Sequence, residues 1–229
     1  MVGDITDVLQ QGGVFSMLAH EIGRFSIERA AFHEAGHAVC VWASGGDVRA
    51  IQVQFDDGTS EWKGATDATG LAPAEQAAMH LAGGLAEARY SANVYDMSNW
   101  LIDDAISGPA LIAQLSAMPM PQFVTCAFRD GIGGQKQLQF NTDIFSNDWH
   151  LAAQLAQQHA LNINPVFGNS IARINDNKLW GVIVDVAKTF FLRPPRFLGW
   201  QYGYDNDVEK QKYKIGPIRD NVKQALGLK

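Results

Sequence analysis

The sequence predicts a mainly α fold that carries a small β-sheet or ribbon, and three observations lead to this. Apolar side chains recur with helical spacing over about 26–44, before a Gly-Gly pair that ends the pattern. In VRAIQVQF, the residues Ile51, Val53 and Phe55 alternate with glutamines, as in a half-buried strand. Much of the remaining chain has further helical patterns, separated by breaks rich in glycine and proline.

The later elements follow in order from the same signals. A second, ragged strand is expected over about 61–66, and residues 121–145 are typical of strands and loops. Residues 193–207 are expected to form a non-helical connector. Gly83 and Gly84 lie inside a predicted helix, where glycine is unfavourable but often permits close helix packing. The further helices are predicted over about 73–92, 98–117, 146–161, 177–192 and 217–226.

Length and composition limit the class of protein. A chain of 229 residues with 47% hydrophobic and 18% charged residues is long enough for a domain with a sizeable core. The net charge of −6 argues against a general nucleic-acid binder. Cys40 and Cys126 make no disulfide framework, which fits a reducing compartment. No apolar run approaches the ~18 residues of a membrane span and no signal-peptide pattern opens the sequence, so we expect a cytoplasmic location.

Charge is distributed unevenly along the chain. Residues 188–229 have a net charge of +5 and the remainder has −11, which together give the −6 of the whole sequence. We therefore predict a domain over 1–192 and a basic C-terminal extension over 193–229. The extension is expected either to pack on the domain or to bind a protein partner or a second copy of the chain.

The stretch AAFHEAGHAVCVW contains an HExxH pattern, formed by His33, Glu34 and His37. Residues four apart on a helix differ by about 40° in direction, so both imidazoles face one side and can hold one Zn²⁺. Glu34 is rotated by about 100° from His33, which suits a general base acting on a metal-activated water. The alternative is that both histidines are satisfied inside a helix interface. Cys40 shares their face but lies about 10 Å along the axis from His33, which favours a buried structural thiol.

A catalytic zinc site usually has three protein ligands, so a third ligand has to come from elsewhere in the chain. The residues considered are Asp148, Asp103, Asp104, Glu87 and His80. Asp148 lies at a predicted helix start, where position alone is equally consistent with a ligand and with a capping acid. The Asp103-Asp104 pair is more typical of an exposed acidic turn, and His80 is more typical of a partly buried or surface histidine.

Four sequence blocks resemble the FtsH family of zinc metallopeptidases, the proteolytic part of membrane-anchored AAA proteases. FHEAGHAVCVW is similar to the active-site helix of that family, and VRAIQVQF followed by KGAT is similar to its strand and Gly-Xaa-Thr edge segment. LAGGLAEARY is similar to the GGRAAEE helix, with Gly83, Gly84, Ala86 and Glu87 at matching positions. SNDWHLAAQLA is similar to the helix that begins with Asn-Asp and an apolar residue. The four blocks lie between about residues 30 and 160.

The resemblance implies a helical array of the FtsH peptidase type, built around a zincin-type active-site helix. It makes Asp148 the third zinc ligand, because this residue matches the ligand aspartate of the family, and it gives Glu87 a supporting role behind the ligands. The sequence has no GxxxxGK[ST] pattern, so the expected peptidase domain stands alone without the AAA ATPase. The excess length between the last two blocks predicts an insertion over about 95–140 that borders the cleft.

Together, motif and resemblance predict a zinc metalloendopeptidase that is ATP-independent by itself. The two histidines and Asp148 would hold Zn²⁺, and Glu34 would act as general base in the hydrolysis of a peptide or unfolded protein. An extended substrate would pair either with the strand at 51–55 or with the segment at 63–66. Two alternatives stay open: a zinc-containing binding module without proteolytic activity, and a soluble partner of larger AAA proteases.

Overall fold

The structure of the chain, a computed structural model, describes six stretches of the sequence. They are residues 27–56, 61–94, 100–117, 119–191, 200–202 and 208–228. Ser26, the beginning of the predicted insertion at 95–99 and most of the connector predicted over 193–207 lie outside these stretches.

Helices dominate the described part of the chain, and small antiparallel sheets accompany them, which confirms a mainly α fold with a small β component. The helices are α1 (Ile27–Ala43), α2 (Pro73–Val94), α3 (Asp104–Leu115), α4 (Asp143–Gln158), α5 (Ile163–Asn175), α6 (Asn177–Phe191) and α7 (Val208–Leu226). The strands are β1 (Asp47–Asp56), β2 (Glu61–Thr69), β3 (Leu101–Ile102), β4 (Phe123–Arg129), β5 (Gln135–Asn141) and β6 (Trp200–Tyr202). Among the residues that the structure describes, none of the helices combines the length and the apolar character that a bilayer span requires.

The helices α1 and α2 form the centre of the structure because small residues let them approach closely. A Cβ on Gly36 of α1 would lie 2.6 Å from the Cβ of Ala86 and 2.7 Å from the carbonyl oxygen of Ala82. On another side of α2, a Cβ on Gly84 would lie 2.7 Å from the carbonyl oxygen of Ile144 in α4. Packed atoms do not come this close, so each glycine sets the distance between two helices. The close packing suggested by the glycine pair is therefore confirmed at Gly84.

The first sheet has the strand order β2-β1-β6 and lies against α1. Ile51 and Val53 of β1 are fully buried, as the alternating sequence predicts. β1 pairs with β2 through the register Val53↔Gly64 and with β6 through Val53↔Trp200. The expectation that a substrate pairs with the strand at 51–55 is therefore wrong for residues 51–53, which already pair with β2 on one side and with β6 on the other. β2 is an edge strand of the sheet among the described residues.

The second sheet has the strand order β3-β4-β5 and is formed by the segment predicted as an insertion. Its first strand corrects the helix predicted over 98–117, because Leu101 and Ile102 pair with β4 instead of entering a helix. The helix α3 begins only after Asp103, whose side chain accepts a hydrogen bond from the backbone N–H of Ile106 at 3.4 Å. Strand pairing has thus overridden a local helical pattern.

Two helices begin earlier than the sequence predicts. α4 begins at Asp143 rather than near 146, because the chain enters the helix almost directly from the end of β5. Asp148 therefore lies in the second turn of α4 and is not a capping residue. α7 begins at Val208, and Pro217, the predicted start, lies within it.

Helix α5 is absent from the sequence prediction. Asn162 caps it by accepting a hydrogen bond from the backbone N–H of Asn164 at 3.1 Å. The buried residues of α5 recur with helical spacing and carry the signal that identifies it: Val166, Phe167, Ser170, Ile171 and Ile174.

The C-terminal helix α7 packs against β1, α1 and α6. Its contact side carries Ile218 and Val222, which are both buried. A guanidinium nitrogen of Arg219 lies 3.8 Å from a carboxylate oxygen of Asp47 at the start of β1. The helical part of the basic extension thus packs on the domain, and its binding to a partner stays a prediction.

Candidate metal centre

Two histidines of α1 direct one nitrogen each towards the same point. The rings of His33 and His37 lie one helical turn apart, with 4.7 Å between their centroids. Nδ1 of His37 donates to the backbone carbonyl of Met79 at 2.7 Å. Nδ1 of His33 donates to Oε2 of Glu87 at 2.9 Å. Because Nδ1 carries the proton in each of these bonds, Nε2 of each ring has a lone pair that can bind a cation.

Asp148 of α4 meets both of these nitrogens with a single carboxylate oxygen. Its Oδ2 lies 2.8 Å from Nε2 of His33 and 3.3 Å from Nε2 of His37. Donor atoms that bind one tetrahedral ion at about 2.0–2.1 Å are about 3.3 Å apart, so Oδ2 lies at nearly the spacing of a fellow ligand from each of these nitrogens. Two imidazole nitrogens and one carboxylate oxygen are also donors that transition metals accept. The residues present therefore fit a bound metal ion.

Gly83 of α2 provides the space in which the two imidazole nitrogens meet. A Cβ at this position would lie 2.7 Å from Nε2 of His33 and would also overlap the ring of His37. Any larger residue would force the imidazoles to move. The two glycines of the pair thus have different contacts, since Gly83 faces the histidines and Gly84 faces α4.

Glu87 lies behind His33 and not among the atoms that converge. One of its oxygens accepts the hydrogen bond from His33, and the other forms an ion pair with the guanidinium of Arg29. Burial alone would raise the pKa of Glu87, but Arg29 and His33 lower it below its ordinary value, which keeps the carboxylate charged. A charged acceptor at Nδ1 fixes the ring of His33 and makes Nε2 a better metal donor.

The electrostatics of the cluster favour a positive charge between the imidazoles and Asp148. Burial alone would lower the pKa of His33, but Asp148 and Glu87 raise it well above its ordinary value. Burial would likewise raise the pKa of Asp148, but His37, His33 and His80 hold it far below its ordinary value. A proton or a metal cation can supply this positive charge at the same point.

Glu34 lies against the edge strand β2. It is 3% exposed, and its Oε2 accepts a hydrogen bond from Oγ1 of Thr66 at 2.6 Å. A Cβ on Gly64 would lie 2.6 Å from the carboxyl carbon of Glu34, so glycine is required there. His33, Glu34 and His37 keep their ligand atoms within 4.8 Å of one another, and this group could hold a metal ion. Burial raises the pKa of Glu34 above its ordinary value, which strengthens the carboxylate as a proton acceptor.

These side chains open into a cleft of about 630 Å³. The strand β2 lines it from Trp62 to Thr66, and α4 lines it with Asp148 and its neighbours on the same face. Of the insertion predicted over 95–140, Phe140 lines the cleft. The site is therefore accessible to a molecule much larger than water.

Two of the acids considered as ligands lie elsewhere. Asp103 caps α3, and neither Asp103 nor the exposed Asp104 is among the described residues that line the cleft.

Cys40 is buried, with its Sγ 3.2 Å from a guanidinium nitrogen of Arg173. Burial raises the pKa of this thiol, as befits a structural cysteine.

His80 belongs to the site, although the sequence interpretation treats it as an ordinary histidine. It lines the cleft, and its Nδ1 lies 3.5 Å from Oδ1 of Asp148. The available signal is its position three residues before Gly83, on the same face of α2. This position indicates a place in the site only when Gly83 is known to face the histidines of α1.

Comparison of the chain with protein-family models, with curated proteins and with solved structures finds no match. The geometry of the centre and the sequence itself are therefore the basis for a functional conclusion. The fold and site define a mainly α protein in which His33, Glu34 and His37 of one helix form a group that could hold a metal ion, beside an edge strand.

Proposed function

We propose that the chain is a zinc-dependent metalloendopeptidase with an FtsH-like peptidase fold. One observation supports it most: the Nε2 atoms of His33 and His37 converge on Oδ2 of Asp148, next to the buried Glu34. On an HExxH helix, two ligands and a base share one turn. Asp148 is also the ligand that the resemblance to FtsH-like peptidases implies, and the other acids considered make no such contact with both histidines among the described residues.

Zn²⁺ is the metal assigned to the centre in this proposal. Three protein ligands of the imidazole and carboxylate type are common in catalytic zinc sites, which keep a further position open. When bound, the ion supplies a Lewis acid that polarises a carbonyl group and acidifies a water molecule. The cleft beside the ligands leaves room for a substrate at that position.

Glu34 is the proton acceptor in the proposed reaction. The hydrogen bond from Thr66 at 2.6 Å fixes Oε2 and leaves Oε1 to receive a proton. Glu34 takes a proton from the attacking water and later gives it to the amine that leaves. Its raised pKa favours the first of these transfers.

The substrate in this proposal is an extended peptide or an unfolded segment of a protein. β2 pairs with β1 along one side, and its residues 63–66 line the cleft. A peptide that lies along this strand can form backbone hydrogen bonds that do not depend on its sequence. An extended chain is also narrow enough to bring its peptide bond to a carboxylate as buried as that of Glu34.

Comparison of wild type with Glu34→Gln tests the proposed function. Glutamine has nearly the same shape, and its amide oxygen can still accept from Thr66, but it cannot take up the proton of a water molecule. We expect both proteins to bind one Zn²⁺ and wild type to cleave members of a peptide library. The rate should be about 10²–10⁴-fold lower in the variant.

Two results would decide against the peptidase. Equal cleavage rates in the two zinc-loaded proteins would contradict a mechanism in which Glu34 is the base. Zinc binding without cleavage of any peptide or unfolded protein by wild type would favour the non-proteolytic binding module.

A further inference from the structure

The two carboxylate oxygens of Asp148 face different partners. Oδ2 lies 2.8 Å and 3.3 Å from Nε2 of His33 and His37, whereas Oδ1 lies 3.5 Å from Nδ1 of His80. A carboxylate that binds a metal through one oxygen needs a partner for the other, because burial limits its access to water. The side chain of Asp148 is only 14% exposed, so a protein group beside Oδ1 replaces part of its contact with water.

The position of His80 is set by the same packing that builds the metal centre. Gly83, three residues further along α2, touches both metal histidines, so the face of α2 that carries His80 is held beside them. The ring centroids of His80 and His37 are 6.4 Å apart, compared with 4.7 Å for His33 and His37, so His80 lies outside the pair of rings that face Oδ2. His80 thus contacts the carboxylate without belonging to the inner cluster.

We propose that His80 is a positioning residue that holds Asp148 as a ligand through one oxygen. The inference rests on the proposed metal centre, and it adds a residue that the HExxH pattern does not predict. Nδ1 of His80, 3.5 Å from Oδ1, would act as the polar partner that stops the carboxylate from turning and keeps Oδ2 directed at the histidines of α1. Partners of this kind typically change metal affinity about 10–100-fold.

The Zn²⁺ affinity of the full chain, measured by competition with a chromophoric chelator, tests this role. We expect His80→Ala to bind Zn²⁺ about 10–100-fold more weakly than wild type. His80→Gln keeps an N–H donor and should recover most of the loss. His150→Ala is the matched control, because His150 is exposed on α4 two residues from Asp148 and should leave the affinity unchanged.

Two further measurements separate positioning from other roles. His37→Ala removes a ligand and should lose much more affinity than His80→Ala. In the presence of a chelator, wild type and His80→Ala should unfold at similar urea concentrations, because a positioning residue acts on the bound metal rather than on the fold. If His80→Ala unfolds at a clearly lower urea concentration than wild type in the presence of a chelator, the loss of Zn²⁺ affinity would follow from a destabilised fold. That result would indicate a structural role and overturn the inference.

The possible failures are distinguishable. Equal Zn²⁺ affinity of wild type and His80→Ala would overturn the role of His80 and leave the proposed metal centre intact. A loss as large as that of His37→Ala would also overturn it, because His80 would then be a ligand itself. If wild type takes up no Zn²⁺, the proposed function fails together with the inference.

Discussion

Thr66 of β2 donates a hydrogen bond from Oγ1 to Oε2 of Glu34 on α1 at 2.6 Å. The bond joins the strand that borders the cleft to the helix that carries His33 and His37. Glu34 is buried, so the bond also offsets part of the cost of keeping a carboxylate away from water. The orientation of the proposed general base thus depends on a strand residue outside the HExxH pattern.

Thr66→Val tests this dependence, because valine keeps the shape of the side chain and removes the donor. We expect Zn²⁺ affinity to stay unchanged and peptide hydrolysis to fall about 10–100-fold, as the carboxylate loses its fixed orientation. The free energy of unfolding in urea should fall by about 1–2 kcal/mol. Thr69→Val, at an exposed position of the same strand, is the control and should change none of these quantities. Full activity in Thr66→Val would mean that the contact has no part in catalysis.

Asp148→Ala should remove tight zinc binding, because it deletes the oxygen that both Nε2 atoms face at 2.8 Å and 3.3 Å. The metal content of the purified, dialysed protein measures this. Asp104→Ala is the control, since Asp104 is an exposed acid of α3 and should leave one zinc per chain. Unchanged zinc in Asp148→Ala would reject this ligand and direct attention to Glu34 and Glu87, the other acids at the histidines.

Gly83→Ala should disrupt the centre without changing its charge. Its Cβ would lie 2.7 Å from Nε2 of His33 and overlap the ring of His37, so the rings would have to separate. We expect a loss of about 1–3 kcal/mol in the free energy of unfolding, together with weaker zinc binding.

Gly168→Ala is the matched control for this substitution. Gly168 lies inside α5, and a Cβ there would have no neighbour within 4 Å. Alanine should therefore stabilise the protein by about 0.5–1 kcal/mol, because it favours the helix and meets no obstacle. If Gly83→Ala gained stability like this control, the histidine rings would have more room than the structure indicates.

The parts of the fold that the sequence predicts well are those that local periodicity determines. The helix of the HExxH pattern and the buried Ile51 and Val53 of β1 follow from repeats of about 3.6 and 2 residues. The prediction of secondary structure is wrong where pairing between segments distant in sequence determines the local conformation. Leu101 and Ile102 look helical alone but pair with β4, and this pairing is invisible to a local pattern.

The candidate site divides in the same way. His33 and His37 follow from spacing on one helix, because helical geometry alone puts them on one face. Asp148 depends on the sequence resemblance, since position alone left ligand and cap equally open. The sequence analysis considered His80 as a ligand and the segment at 63–66 as a substrate-pairing strand, but it could not predict the contacts of His80 and Thr66, because these exist only once α2, α4 and β2 are packed around α1.

Removal of zinc should lower the thermal stability of wild type, because the ion would join segments that are distant in sequence. The centre connects His33 of α1 with Asp148 of α4, and these residues are 115 positions apart. Zn²⁺ at about 100 times its dissociation constant stabilises the native state by about 2.7 kcal/mol, provided the unfolded chain binds it weakly. For a chain of this size, the unfolding midpoint should rise by about 5–10 °C. Circular dichroism melts with Zn²⁺ and with a chelator measure the difference, and Mg²⁺, which prefers oxygen ligands, should give no shift.

The same melts separate the two roles that Glu34 could have beside His33 and His37. If Glu34 is a base and not a ligand, Glu34→Gln should show the wild-type shift with Zn²⁺, because a nearly isosteric amide leaves the three ligands in place. Asp148→Ala should show almost no shift, because it lacks one of them. If instead Glu34→Gln loses the shift and Asp148→Ala keeps it, the metal is held by the His33, Glu34 and His37 group. The proposed peptide hydrolysis would then have no free carboxylate at this position to accept the proton of the attacking water.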